Sequence, residues 1–143
     1  MTPKEWLSRG WRIDREIKEL EQSKEEILTC ITKTTSNPEN ERVDGSGGNS
    51  NERALVVYID KANKCAALIQ ERINSLVSVK SEIIGAIQKV NDSTLRALLT
   101  ARYINFKTWE QIAVELNYSY MHVCRLHGKA LVKIKDVIEC YTL

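Results

Sequence analysis

The sequence predicts an all-α protein, a long antiparallel helical hairpin of coiled-coil type followed by a compact helical module. Three observations carry this. Apolar residues recur at alternating three- and four-residue steps through much of residues 6–90, the spacing that lays one stripe along one face of a helix. Only two prolines, Pro3 and Pro38, interrupt the 143 residues. Few strand-like alternations of β-branched and polar residues appear anywhere.

The chain opens on a helix start. Thr2 is placed to cap, Pro3 to fill the first turn, and Glu5 to reach back to the cap amide. Trp6, Ile13, Ile17, Leu20, Ile27 and Ile31 then form a seam, with Gly10 and Lys24 in its two missing positions. The spacing predicts one helix to about Lys33 that buries a narrow stripe. Residues 34–50 are polar and glycine-rich without apolar spacing, which predicts a mobile connecting loop.

A second helix is predicted from near Asn51. Leu55, Ile59, Ala62, Ala66, Ile69, Ile73, Leu76, Lys80, Ile83, Ile87 and Val90 step by four and three over about five heptads. This helix is longer than the first. Its surplus seam is expected to pack on the C-terminal residues or on a second subunit. Asn91-Asp92-Ser93 ends the pattern and caps a short helix carrying Leu95, Leu98, Leu99, Arg102 and Tyr103, which stops by Asn105. The expected domains are therefore 1–90, the hairpin with its mobile loop 34–50, and 91–143, the module.

Net charge is only +2, and its distribution is more informative than its size. Residues 1–35 and 36–91 each hold seven basic and seven acidic residues, while 92–143 hold seven basic against five acidic. The whole positive surplus sits in the module, a mild bias towards a nucleic-acid partner. Cys30, Cys65, Cys124 and Cys140 lack paired spacing, and no run approaches membrane-spanning length. Reduced thiols in a cytoplasm are expected, without a membrane partner. Cys124 and His127 stand one helical turn apart, but no second pair completes a zinc site. No phosphate-binding glycine loop, nucleophile triad or paired catalytic carboxylates can be assembled, so neither a cofactor nor an enzyme is expected.

Residues 108–119 are the most informative stretch. Thr108 and Gln111 form a capping box that opens a helix. Ile112, Ala113 and Leu116 give its buried face, with Ala113 small where a second helix must cross. Asn117 tolerates the left-handed backbone that ends the helix. Ser119 caps a new helix, and Tyr118 is expected to staple onto Val123. The new helix is expected to bury Val123, Leu126, Ala130 and Ile134, and to turn Met121, Cys124, Arg125 and Gly128 outward.

Two amphipathic helices around a tight turn are the helix-turn-helix arrangement, whose second helix lies in the major groove. Double-stranded DNA is therefore the expected partner. Tyr120, Met121, Cys124 and Arg125 are the candidates for base edges, Arg125 foremost because a guanidinium binds guanine bidentately. Lys107, Thr108, His122, Lys129 and Lys133 are the candidates for phosphates. Gly128 would let the backbone approach a phosphate closely. His127 is expected to be a hydrogen-bonded packing histidine, and Trp109 to pack on Tyr103 or Phe106. Trp6 and Trp11 are placed either in the hairpin core or as interface anchors.

The residues also carry a resemblance. Thr108, Glu110, Ile112, Ala113, Leu116, Ser119, Val123, Ala130, Leu131, Lys133 and Ile134 are similar to the pattern of region 4 of sigma-70 family factors. The whole chain resembles small phage and prophage proteins of Gram-positive bacteria that join a helical hairpin to a sigma-like terminus. Tyr103 to Ala113 and Arg125 to Leu131 carry that likeness. The resemblance implies a regulator of late phage genes. Sigma region 4 usually opens its recognition helix with charged residues, whereas Tyr120-Met121-His122 stand here and Cys124 replaces a common Arg. Sigma-type promoter recognition is therefore not carried over.

The expected function is a DNA-binding transcription regulator whose hairpin forms a homodimer or contacts RNA polymerase. Its rivals are a module that docks on polymerase without touching DNA and a DNA-packaging adaptor of small-terminase type.

Overall fold

A computed structural model describes residues 1–36 and 48–142. Six α-helices and one π-helical turn make up the described chain, with no strand. They are α1 (Pro3–Leu7), α2 (Arg9–Ser36), α3 (Gly48–Gln88), α4 (Ser93–Leu99), the π turn (Thr100–Ile104), α5 (Trp109–Leu116) and α6 (Tyr120–Thr142). Of the loop expected at 34–50, residues 37–47 lie outside the described residues. Residues 34–36 instead close α2, and 48–50 open α3. No helix among the described residues is long and apolar enough to cross a membrane.

The first helix is broken where the sequence predicted continuity. Its start is as expected: the Glu5 amide donates to Thr2 Oγ1 at 3.2 Å, and the Thr2 amide donates to Glu5 Oε2 at 2.8 Å. Ser8 separates α1 from α2, its backbone at ψ −2° and its hydroxyl donating back to the Lys4 carbonyl at 2.6 Å. Arg9 holds the corner. Its Nε donates to the Trp6 carbonyl at 3.0 Å, and its guanidinium lies 4.5 Å from the Trp6 ring centre.

The described chain forms two compact units, residues 15–74 and residues 1–14 with 75–143. In the first, the heptad pattern reads directly as burial. Between residues 15 and 34, only positions 17, 20, 24, 27, 31 and 34 are shielded from solvent. On α3 the shielded face includes Leu55, Tyr58, Ala62, Ala66, Ile69 and Ile73. Ile59, expected in this seam, is 45% exposed, and Tyr58 takes its place. Arg72 pairs with Glu16 at 3.0 Å beside the seam. Among the described residues of this unit only Ile17 and Ala62 are buried, as a two-helix seam has few atoms to cover.

In the second unit α2 and α3 run in opposite directions, with Arg9 beside Glu82 at 3.3 Å and Gly10 near Leu76. The surplus seam of α3 packs on the C-terminal helices, one of the two partners expected for it. Ile83, Ala86, Ile87 and Val90 join Trp6 and Leu7 of α1, Leu95, Leu98 and Leu99 of α4, and Val123, Ala130, Ile134 and Ile138 of α6. This core runs through residue 90, where the module boundary was expected. Each fully buried Leu or Ile contributes roughly 1.5–3 kcal/mol of transfer free energy.

Candidate nucleic-acid interface

Local chemistry places α5 and α6. The Thr108 hydroxyl accepts the Gln111 amide at 3.2 Å and Gln111 Oε1 accepts the Thr108 amide at 2.9 Å, completing the expected capping box. Asn117 ends α5 in the left-handed region (φ 58°, ψ 39°), and the Tyr118 amide reaches back to the Ala113 carbonyl at 3.0 Å. Ser119 then caps α6, its hydroxyl accepting the His122 amide at 3.2 Å. Ile112 and Ala113 are buried against Val123, Ala130 and Ile134, so the packed faces are those expected from spacing. The Tyr118 ring meets His122 edge-on at 4.7 Å.

The outward face of α6 carries the basic residues. Arg125, Lys129 and Lys133 stand four residues apart and are all exposed. Four-residue steps form one ridge on a helix, and eight residues span about 12 Å. None of the three has a carboxylate within ion-pairing distance among the described residues. Tyr120 and Met121 are exposed at the start of this face, and Cys124 is exposed beside Arg125. The Tyr120 phenol is held above its ordinary value, chiefly by the neighbouring Cys124 thiol. At Gly128 nothing lies within 4 Å of where a Cβ would be, so the backbone is open there.

The remaining candidates are differently placed. Lys107 is engaged, its Nζ lying 2.8 Å from both carboxylate oxygens of Glu115. A phosphate must displace Glu115 to use it. The Thr108 oxygen is committed to the cap. His122 is half-buried against Tyr118. The candidates thus divide into an open ridge on α6 and groups already occupied at the start of α5.

Behind this face lies an aromatic cluster. His127 Nε2 and the Tyr103 hydroxyl share a hydrogen bond of 2.6 Å, the packing role expected for this histidine. Burial, aided by the charges of Lys4 and Arg102, pushes the imidazole down to about 4. Trp109 packs on His127 at 4.5 Å, and the Arg102 guanidinium lies 4.5 Å from the Trp109 ring centre. Trp109 thus packs on His127 and Arg102, at the edge of the core that includes Tyr103. Trp6 is buried in the core against Tyr141, whereas Trp11 is 50% exposed.

Sequence reasoning missed Phe106. The π turn closes with the Asn105 amide donating to the Thr100 carbonyl at 3.1 Å, and Phe106 then adopts φ 56°. A bulky residue at positive φ is an outlier that local propensity argues against.

No family model, curated protein or solved structure matches this chain.

Proposed function

We propose that this chain binds double-stranded DNA and regulates transcription, with α5, the turn and α6 acting as a sigma region 4-like helix-turn-helix. It is a binding protein in this reading and not an enzyme. The observation that supports it is the ridge of Arg125, Lys129 and Lys133 on the exposed face of α6, without an ion pair among the described residues. Arg125 is the base reader, with Tyr120, Met121 and Cys124 beside it. Lys129 and Lys133 hold phosphates, which adds affinity without sequence information. With a net charge of only +2, one such site binds weakly, so a homodimer through the helical hairpin supplements it. The resemblance to phage and prophage regulators of late genes fits this role, with RNA polymerase as a further partner. Mobility shift on a randomised duplex pool at low salt tests the reading; failure to retain any duplex contradicts it.

One observation favours docking on a protein instead. Val114, Met121 and Val132 are 76%, 65% and 73% exposed, and Glu110 lies near Val114 on the outer side of α5. In that reading the module docks on polymerase without touching DNA. Replacing Arg125 and Lys129 by Ala separates the two, because partner binding then survives while DNA binding is lost.

A further inference from the structure

The backbone of Lys107 is pinned. Its amide donates to the Ala101 carbonyl at 3.0 Å, and its carbonyl accepts Arg102 Nη1 at 2.9 Å. Thr108, next in the chain, caps α5. From this fixed point the side chain reaches Glu115 in the last turn of α5, and Nζ stands 2.8 Å from both carboxylate oxygens. Among the described residues this is the only ion pair that α5 makes.

Glu115 shares a groove on the outer side of α5 with Glu110, Gln111 and Val114. The charges of Glu110 and Arg102 both act on the Tyr120 phenol, so the start of α5 stands close to the start of the outward face of α6. In a helix-turn-helix the first helix crosses the DNA backbone while the second enters the groove. Carboxylates on the outer side of α5 therefore meet phosphates. Of the five acidic residues in 92–143, Asp92 is spent on the cap of α4, and Asp136 and Glu139 lie far along α6. Glu110 and Glu115 are the two on α5.

A cation held in this way gives DNA little. Lysine is a compact charge on a flexible stem, and a carboxylate satisfies it as a phosphate oxygen would. Paired, Lys107 and Glu115 carry no net charge. A phosphate that takes the lysine leaves Glu115 bare beside the same strand, where like charges repel. The two side chains keep 34% and 49% of their surface exposed, and ion pairs this open are weakly held. We propose, resting on the DNA-binding reading, that Glu115 limits the affinity of the DNA site by occupying Lys107 in place of a phosphate. Without that carboxylate, residues 92–143 hold seven basic against four acidic residues, and Lys107 joins Arg125, Lys129 and Lys133 as a fourth cation for DNA.

The test is fluorescence anisotropy of a labelled duplex of mixed sequence, across a range of salt. The full native chain is compared with Glu115→Gln, with Glu115→Gln plus Lys107→Gln, and with Glu71→Gln. Glu115 and Glu71 are both exposed, so circular dichroism is expected to be unchanged, and Glu71→Gln removes the same charge from the other unit. Glu115→Gln is expected to bind about five- to tenfold more tightly at about 0.1 M salt, with a slope of log affinity against log salt steeper by about 0.9. Adding Lys107→Gln is expected to abolish that gain, and Glu71→Gln to change affinity by less than about twofold. Equal affinity and slope in the native chain and Glu115→Gln overturn the proposal and leave DNA binding standing. So does a gain that Glu71→Gln matches or that survives the loss of Lys107. No duplex binding by either the native chain or Glu115→Gln at low salt overturns the DNA reading and the proposal together.

Discussion

The Tyr103 hydroxyl lies 2.6 Å from Nε2 of His127, tying the π turn to α6 beside Trp109. Both partners are shifted away from their charged forms. Burial pushes the Tyr103 phenol up to about 12, and burial with the Lys4 and Arg102 charges pushes His127 down to about 4.

Stability therefore depends on pH with a definite sign. The unfolded chain binds a proton on His127 near the ordinary 6.5, the folded chain only near 4. The contribution of His127 is full above pH 6.5 and is lost as pH falls from 6.5 towards 4. Urea midpoints compared across that interval are expected to fall more steeply for the native chain than for His127→Gln. Equal slopes would show that His127 is not held neutral. At the alkaline end, the contribution of Tyr103 is present below pH 10 and is lost as pH rises through about 12.

Gly128 separates folding from binding. Nothing lies within 4 Å of an added Cβ, so Gly128→Ala is expected to raise stability by about 1 kcal/mol through helix propensity alone. The same methyl stands where the backbone would approach DNA, so duplex affinity is expected to fall while the melting temperature rises. Unchanged affinity would place DNA elsewhere on α6.

The turn between α5 and α6 is set by one backbone angle. Asn117 sits at φ 58°. Asn117→Gly is expected to be neutral within a few tenths of a kcal/mol, whereas Asn117→Ala costs about 1 kcal/mol. Thr108→Ala, which removes the cap oxygen, costs about 1 kcal/mol as well. Thermal unfolding of the three variants checks the order.

The all-helical fold was legible because heptad spacing and caps are local signals. The capping boxes at Thr2 and Thr108, the Asn117 turn and the buried faces of α5 and α6 all follow from residues within one or two turns. The break at Ser8 was not legible, since the heptad spacing of Trp6, Gly10 and Ile13 runs across it. The Lys107–Glu115 pair spans eight residues, outside any helical spacing rule. Phe106 at positive φ runs against propensity. The ridge of Arg125, Lys129 and Lys133 was legible as spacing, but that it has no ion pair among the described residues needed the structure.

The salt dependence of duplex binding tests the DNA reading most directly. Affinity of the native chain and of the Arg125→Ala, Lys129→Ala, Lys133→Ala triple variant is measured by fluorescence anisotropy over a range of salt. Each phosphate contact contributes about 0.9 to the slope of log affinity against log salt. The account predicts that the triple variant binds more weakly with a slope shallower by about two, as Arg125 reads a base and the two lysines read phosphates. Identical slopes in the two proteins, or no duplex binding by the native chain at low salt, would contradict it.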